Sequence, residues 1–288
     1  MPDFEERAIK KKLQSCGLPL TLSPNAFGEL RASDPTTSRE SLTEQMERQG
    51  YLFFREMVAP ELVTNAQREL AKHLATEGAT VPNTNPLDLV AAPGFESDFR
   101  SEAGNYPLTY EATRASALKE FFDRFLGAPS RTLDHTWIRI KSPGRSTAPH
   151  CDIVYMGRGT HQLYTLWMPL GDIPLELGPL MLLEGSNRLT RLRENYCQMD
   201  IDKHRNATRW RFRHGGFFRG GQYTKKPAAA QKELGGRWLT TDFRAGDVVI
   251  FTGFTLHGSL DNMTDRIRIS ADTRYQRSDQ PADPRWIK

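Results

Sequence analysis

The spacing of apolar positions changes character near residue 133. Before it, apolar residues recur mainly at helical spacing. "SRESLTEQMERQG" opens with a Ser–x–x–Glu pair (Ser41, Glu44), reads as a capped helix and stops at Gly50. "YLFFREM" predicts a short strand. In "APELVTNAQRELAKHLATEG", Leu62, Leu70 and Leu74 predict a helix that ends at Gly78. "TVPNTNPLDLVAAPGFESDF" is a loop by its Pro, Gly and Asn content, and "RASALKEFFDRFLG" is another amphipathic helix. After residue 133 the runs are short and rich in β-branched and aromatic residues: "HTWIRIKS", "CDIVYM", "QLYTLWMPL", "PLMLLEG", "RWLTTDF", "DVVIFTGF" and "IRISADTRY". Turn residues punctuate nearly all of them, which predicts a β-sandwich or barrel. The expectation is one mainly β domain over residues 1–288: a helical part over about 1–130, a β core over about 131–275, and one long insertion over about 189–236.

Composition narrows the class. The 288 residues are 38% hydrophobic and 26% charged, as in an ordinary globular protein. No run approaches the roughly 18 apolar residues of a membrane span, so no membrane association is expected. The first residues mix acids with bases and lack the apolar stretch of a secretory signal, so a cytoplasmic location is expected. Cys16, Cys151 and Cys197 are few and far apart, which argues against a disulfide framework. A net charge of +4 permits an anionic partner without requiring one.

The chemistry is concentrated in three places. "APHCDIVYMG" sets His150 and Asp152 two residues apart at the head of an apolar run. On a strand such residues share a face about 6.6 Å apart, close enough to converge on a metal. A surface His–Asp pair has the same spacing, so a third ligand is required. "DVVIFTGFTLHGSLDN" supplies His257 at the end of an apolar strand region. In "RIRISADTR" the residues alternate strictly. Ile267, Ile269 and Ala271 share one face, and Arg266, Arg268, Ser270, Asp272 and Arg274 the other. On an edge strand that charged row faces water; in a barrel it faces a polar cavity suited to a dicarboxylate. Two histidines and a carboxylate with open positions form the facial triad of non-haem Fe(II) oxygenases.

His150–x–Asp152, His257, an arginine eleven positions later, "LYTLWMPLGDIPLELGPLMLLEGSN" and "GDVVIFTGFTLHGSLDN" together resemble the phytanoyl-CoA dioxygenase family of Fe(II)/2-oxoglutarate oxygenases. The resemblance covers roughly residues 45–275. It implies a double-stranded β-helix (jelly roll, cupin-like), with iron held by His150, Asp152 and His257. Arg268, helped by Ser259, would hold the distal carboxylate of 2-oxoglutarate. Trp167 and Thr165 would flank the cosubstrate, and Trp137 or Lys141 would reach it. Strand alternation does not choose between Arg266 and Arg268; the family spacing favours Arg268. The implied reaction uses O2, converts 2-oxoglutarate to succinate and CO2, and hydroxylates a small organic molecule, with ascorbate as an optional reductant. A carboxylate at position 152 favours hydroxylation over halogenation. The turn Gly185–Ser186–Asn187 departs from the family's usual Gly–Ser–His.

The substrate is open at this level. The insertion carries "RWRFRHGGFFRGGQYTKK", with Arg209, Arg211, Arg213, Arg219, Lys225 and Lys226, and is expected to act as a lid or to clamp an anionic group. The spacing of Arg268, Ser270, Asp272 and Arg274 also suits a nucleic-acid demethylase of the same iron superfamily, although the mild charge makes nucleic acid an unfavoured partner. A non-catalytic, metal-binding cupin-like module is the remaining alternative. Its structural metal would ordinarily have four protein ligands, and three are evident.

Overall fold

A computed structural model describes residues 4–97, 106–204, 210–211, 217–218 and 220–287. Two antiparallel β-sheets face each other. The larger one runs β2 (Tyr51–Phe54), β8 (Val248–Thr252), β5 (Tyr164–Pro169) and β10 (Arg268–Arg277). The long β10 carries both β3 (Ser130–Thr132) and β4 (Trp137–Lys141) along its other edge. The smaller sheet runs β9 (His257–Ser259), β6 (Leu180–Leu183), β7 (Trp238–Thr240) and β1 (Phe27–Glu29), with only β1 and β7 parallel. The jelly roll thus begins well before residue 131. The first part of the chain supplies β1 and β2 as well as the covering helices.

Those helices are α1 (Arg39–Gln49), α2 (Pro60–Thr76) and α3 (Ser116–Leu126). Their apolar stripes bury the outer face of the larger sheet. Leu42 and Met46 from α1, Leu70 and Leu74 from α2, and Phe121 and Phe122 from α3 join Ile138, Leu166, Ile250 and Ile269 in one core. The α1 cap differs from the expected Ser41–Glu44 pair. Ser38 is the residue with extended backbone, and its Oγ accepts the Ser41 N–H at 3.2 Å, so the helix starts at Arg39. At the far end Gly50 takes φ +84, and a Cβ there would lie 2.7 Å from Asn187 Oδ1.

Because both faces of β10 are buried, the strict alternation seen in the sequence separates two environments. Ile267, Ile269, Ala271 and Tyr275 belong to the helix-covered core. Arg268, Asp272 and Arg274 point between the sheets. The same inner face carries Trp167 opposite Asp272 and Thr165 opposite Arg274. One end of the space between the sheets is filled by Phe53, Trp167, Leu182, Phe243, Val249 and Phe251. The other end is polar.

The run "CDIVYM" is not a strand. Ile153–Met156 form one helical turn, with Asp152 in the right-handed helical region at its start. No sheet edge meets these residues. Ile153 and Val154 instead sink into a core shared with Leu192, Cys197 and Phe254, so burial overrides their β propensity. His150 alone keeps strand pairing, exchanging two backbone hydrogen bonds with His257, at 2.9 and 3.0 Å. That close approach depends on Gly258, where a Cβ would lie 2.7 Å from Thr147 O.

Gly258→Ala should therefore destabilise the protein by about 1–3 kcal/mol through overpacking against backbone. Gly253→Ala, whose Cβ would meet Ile153 at an ordinary 3.6 Å, should be tolerated. Urea unfolding of both variants checks this; equal stability for the two would show that the 147–150 segment yields freely.

Candidate metal and cosubstrate site

The backbone pair His150–His257 brings the two imidazoles side by side, with ring centroids 4.2 Å apart and planes tilted by 52°. Each Nδ1 is 2.9–3.0 Å from the carbonyl oxygen two residues earlier, Ala148 O for His150 and Thr255 O for His257. A carbonyl only accepts, so each Nδ1 carries the proton and each Nε2 offers a lone pair. Both Nε2 atoms turn toward Asp152 Oδ1, at 3.5 Å from His150 and 3.7 Å from His257. Ligand atoms of the triad all lie within 4.8 Å of one another. Metal–ligand distances near 2.1 Å would put neighbouring donors about 3 Å apart at right angles, so the three groups would draw together on a bound ion.

The other carboxylate oxygen is held back. Asp152 Oδ2 accepts from Thr165 Oγ1 at 2.6 Å and from Arg274 Nη2 at 2.7 Å. One oxygen is thus committed to hydrogen bonds within the protein and the other faces the two imidazoles. Burial acts to raise the Asp152 carboxyl pKa, but the Arg274 guanidinium outweighs it and holds it well below the usual range. Burial, reinforced by His150, lowers His257 to about 3, so it stays neutral. A charged carboxylate and neutral imidazole are the states a divalent metal needs.

The cavity beside the triad is lined by Thr165, Trp167, Ser259 and Arg268, and by Arg139, Thr147, Leu180, Phe251, Asp272 and Arg274. Arg268 is 2% exposed and donates from Nη1 to Ser270 Oγ at 2.6 Å. Arg266, its rival, is exposed and donates to Asp88 O. Ser259 Oγ accepts the Thr147 N–H at 2.8 Å, which leaves its hydroxyl proton to donate. Trp137 and Lys141 are not in the cavity lining. The Arg274 guanidinium lies over Trp137, 4.2 Å from its ring centroid, and Trp286 packs edge-on against Trp137. Lys141 Nζ donates to Ser146 O at 3.1 Å.

Arg139, Asp272 and Arg274 escape assignment from the sequence because their roles are mutual. Asp272 accepts from Arg139 at both oxygens, at 2.8 and 3.2 Å, and its Oδ2 also accepts from Arg274 Nη1. The alternation of β10 signalled that these side chains share a face, but not which pairs form. The departing Gly185–Ser186–Asn187 turn is closer to the site than its sequence position suggests. Ser186 Oγ accepts the N–H of Leu256, next to His257, and Asn187 Nδ2 donates to Glu47 O in α1.

The insertion is partly built into the same neighbourhood. Tyr196 accepts the Cys151 N–H at 3.2 Å, and the Tyr223 N–H donates to Pro149 O at 2.7 Å. Lys225 and Lys226 are exposed. Arg209, Arg213 and Arg219, and the Arg211 side chain, lie outside the described residues, as do the rest of 205–209 and 212–216 in the segment expected to act as a lid.

A jelly roll with two histidines and one carboxylate between its sheets defines the class of cupin-like metal oxygenases. The phytanoyl-CoA dioxygenase (PhyH) family model matches residues 46–270, and the chain belongs to that family. It is 24% identical over 248 residues to 1-deoxypentalenic acid 11-beta-hydroxylase of Streptomyces exfoliatus, covering 83% of this chain and 81% of the hydroxylase. Among solved structures, the non-haem alpha-ketoglutarate-dependent carbocyclase SnoK from nogalamycin biosynthesis superposes with a TM-score of 0.60 at 20% identity, covering 88% of this chain and 90% of SnoK. EctD from S. alaskensis, solved with 2-oxoglutarate and 5-hydroxyectoine, gives 0.57 at 18% identity, covering 92% of this chain and 83% of EctD. Among the described residues no helix is long and apolar enough to cross a membrane.

Thr165→Val keeps the shape of the side chain but removes one of the two donors to Asp152 Oδ2. Hydrogen bonds to charged groups contribute about 1.5–3 kcal/mol, so Fe(II) affinity should fall by about 10- to 150-fold. An anaerobic metal titration measures this; unchanged affinity would mean that Arg274 alone fixes the carboxylate.

Proposed function

We propose that the protein is an Fe(II)- and 2-oxoglutarate-dependent dioxygenase that hydroxylates a small organic molecule. The observation that carries this is the joint placement of three converging metal ligands and a buried, inward-facing Arg268 in one cavity. His150, Asp152 and His257 would hold the iron. Arg268 and Ser259 would hold the distal carboxylate of 2-oxoglutarate, and Trp167 would form an apolar wall beside its carbon chain.

With iron, 2-oxoglutarate and O2 bound, the group supplies oxidative decarboxylation to succinate and CO2, with one oxygen atom delivered into a substrate C–H bond. The protein's part is positional. Nδ1–H donors fix both imidazoles, Thr165 and Arg274 limit Asp152 to one metal-facing oxygen, and the packed sheets exclude water. No side chain is required as a general base. With three protein ligands, His150, Asp152 and His257, a bound metal would keep positions for the keto acid and O2, unlike a structural metal with four protein ligands.

The hydroxylase and carbocyclase relatives support a small-molecule substrate. An anionic substrate is supported by the cation excess at the cavity. Arg139, Arg268 and Arg274 line it with Asp272, and the other carboxylate, Asp152, pairs with Arg274, so three guanidiniums stand against two carboxylates. Arg139 is the most open of the three arginines, with its side chain 22% exposed. The residues that suggested a nucleic-acid demethylase, Arg268, Ser270, Asp272 and Arg274, are all buried and bonded to one another or to the triad.

His150→Ala, Asp152→Ala and His257→Ala should each abolish Fe(II)-dependent succinate release in folded protein. Arg268→Ala leaves a buried carboxylate of the cosubstrate without its partner. That loss costs roughly 2–5 kcal/mol, a rise of about 30- to 4000-fold in the 2-oxoglutarate concentration required. Arg266→Ala should leave that requirement unchanged. Succinate release as a function of 2-oxoglutarate concentration tests all five variants; a loss with Arg266→Ala and none with Arg268→Ala would overturn the assignment of the distal site.

A further inference from the structure

Arg274 is a fully buried guanidinium whose partners do not account for all of its donors. Its side chain is 1% exposed. Nη1 donates to Asp272 and Nη2 donates to Asp152 Oδ2 at 2.7 Å. Nε–H is buried and has no acceptor among the described residues, and Arg274 is one of the residues that line the same cavity. Buried N–H groups are nearly always paired, and leaving one unpaired costs about 1–3 kcal/mol. The stack of Trp137 beneath the guanidinium fixes its plane, so the donor cannot turn to find a partner.

The position of this donor identifies its acceptor. Arg268 and Arg274 are six residues apart on β10 and on the same face, so their Cα atoms stand about 20 Å apart. Each leans along the strand toward the other: Arg268 bonds Ser270, and Arg274 bonds Asp272. The cavity between them has one guanidinium at each end, and the one at the Arg274 end touches a metal ligand. A dicarboxylate held by Arg268 at its far end brings its other carboxylate, beside the keto group, to the metal.

We propose that Arg274 is a second cosubstrate-binding arginine: Nη2 fixes the metal ligand Asp152, and Nε donates to the metal-proximal carboxylate of 2-oxoglutarate. This rests on the Fe(II)/2-oxoglutarate assignment. The arrangement makes cosubstrate binding and metal-ligand geometry share one rigid group. A displaced Asp152 weakens the grip on the keto acid, and a bound keto acid completes the hydrogen bonding that orients Asp152.

Fragments of the cosubstrate test it. Pyruvate carries the 2-oxo acid end alone, whereas 2-oxoglutarate carries both ends. Binding of each is measured anaerobically on Fe(II)-saturated protein, with iron affinity titrated separately. Arg274→Lys retains a cation for Asp152 but cannot serve two carboxylates and the keto acid together. It should weaken pyruvate and 2-oxoglutarate by the same factor, about 10- to 150-fold, with a smaller change in iron affinity. Arg268→Met should weaken 2-oxoglutarate and leave pyruvate unchanged. If Arg274→Lys does not fold, Arg274→Gln, which keeps a neutral donor, is measured instead with the same expectation. The proposal is overturned if the Arg274 variant lowers iron affinity alone, or if it weakens 2-oxoglutarate and spares pyruvate. Failure of the wild-type protein to bind 2-oxoglutarate at all would instead remove the assignment beneath it.

Discussion

The site depends on one short backbone pairing. His150 and His257 exchange two hydrogen bonds, and that exchange holds the segment 147–150 against β9. Everything nearer the metal follows from it. The pairing sets the distance between the imidazoles, and the helical turn after His150 swings Asp152 beneath them. Ser259 continues the same contact by accepting the Thr147 N–H, so the far end of β9 is tied to the same segment as His257. Gly258 permits the approach by lacking a Cβ.

Around that pairing the protein buries an unusual amount of charge. Asp152, Asp272, Arg268 and Arg274 are all at most 2% exposed. Buried ion pairs are a poor source of stability, because desolvation offsets most of the attraction. They do impose geometry. Each carboxylate oxygen of Asp152 has a separate task, and Asp272 braces two guanidiniums. The stability that supports this polar half comes from elsewhere. Helices α1, α2 and α3 cover the back of the larger sheet, and an aromatic cluster fills the other end of the space between the sheets.

Much of this was legible in the sequence, for identifiable reasons. The period-two alternation of "RIRISADTR" survives in the fold because both faces of β10 are buried in different media, so its register is strongly specified. The ligand residues were legible from their type and order. "CDIVYM" was misleading because its β-branched residues answer to burial beside Leu192 and Cys197, a contact made by an insertion far along the chain. Ser38 was overlooked because a better-looking pair, Ser41 and Glu44, lies one turn further on. The work of Arg274, Trp137 and Ser186 is invisible at the sequence level, since each acts through a residue distant in sequence: Asp152, Arg274 and Leu256.

The central claim is that three protein ligands leave a metal face open toward a cavity built for a keto acid. The most direct measurement is the visible absorbance of the purified protein under strict anaerobiosis. Fe(II) alone and 2-oxoglutarate alone should give no band. The two together should give a charge-transfer band that saturates at one equivalent of each and is absent when glutarate, which lacks the keto group, replaces 2-oxoglutarate. A protein that binds Fe(II) tightly yet shows no band with 2-oxoglutarate would contradict the account, because its metal face would not be open to the keto acid.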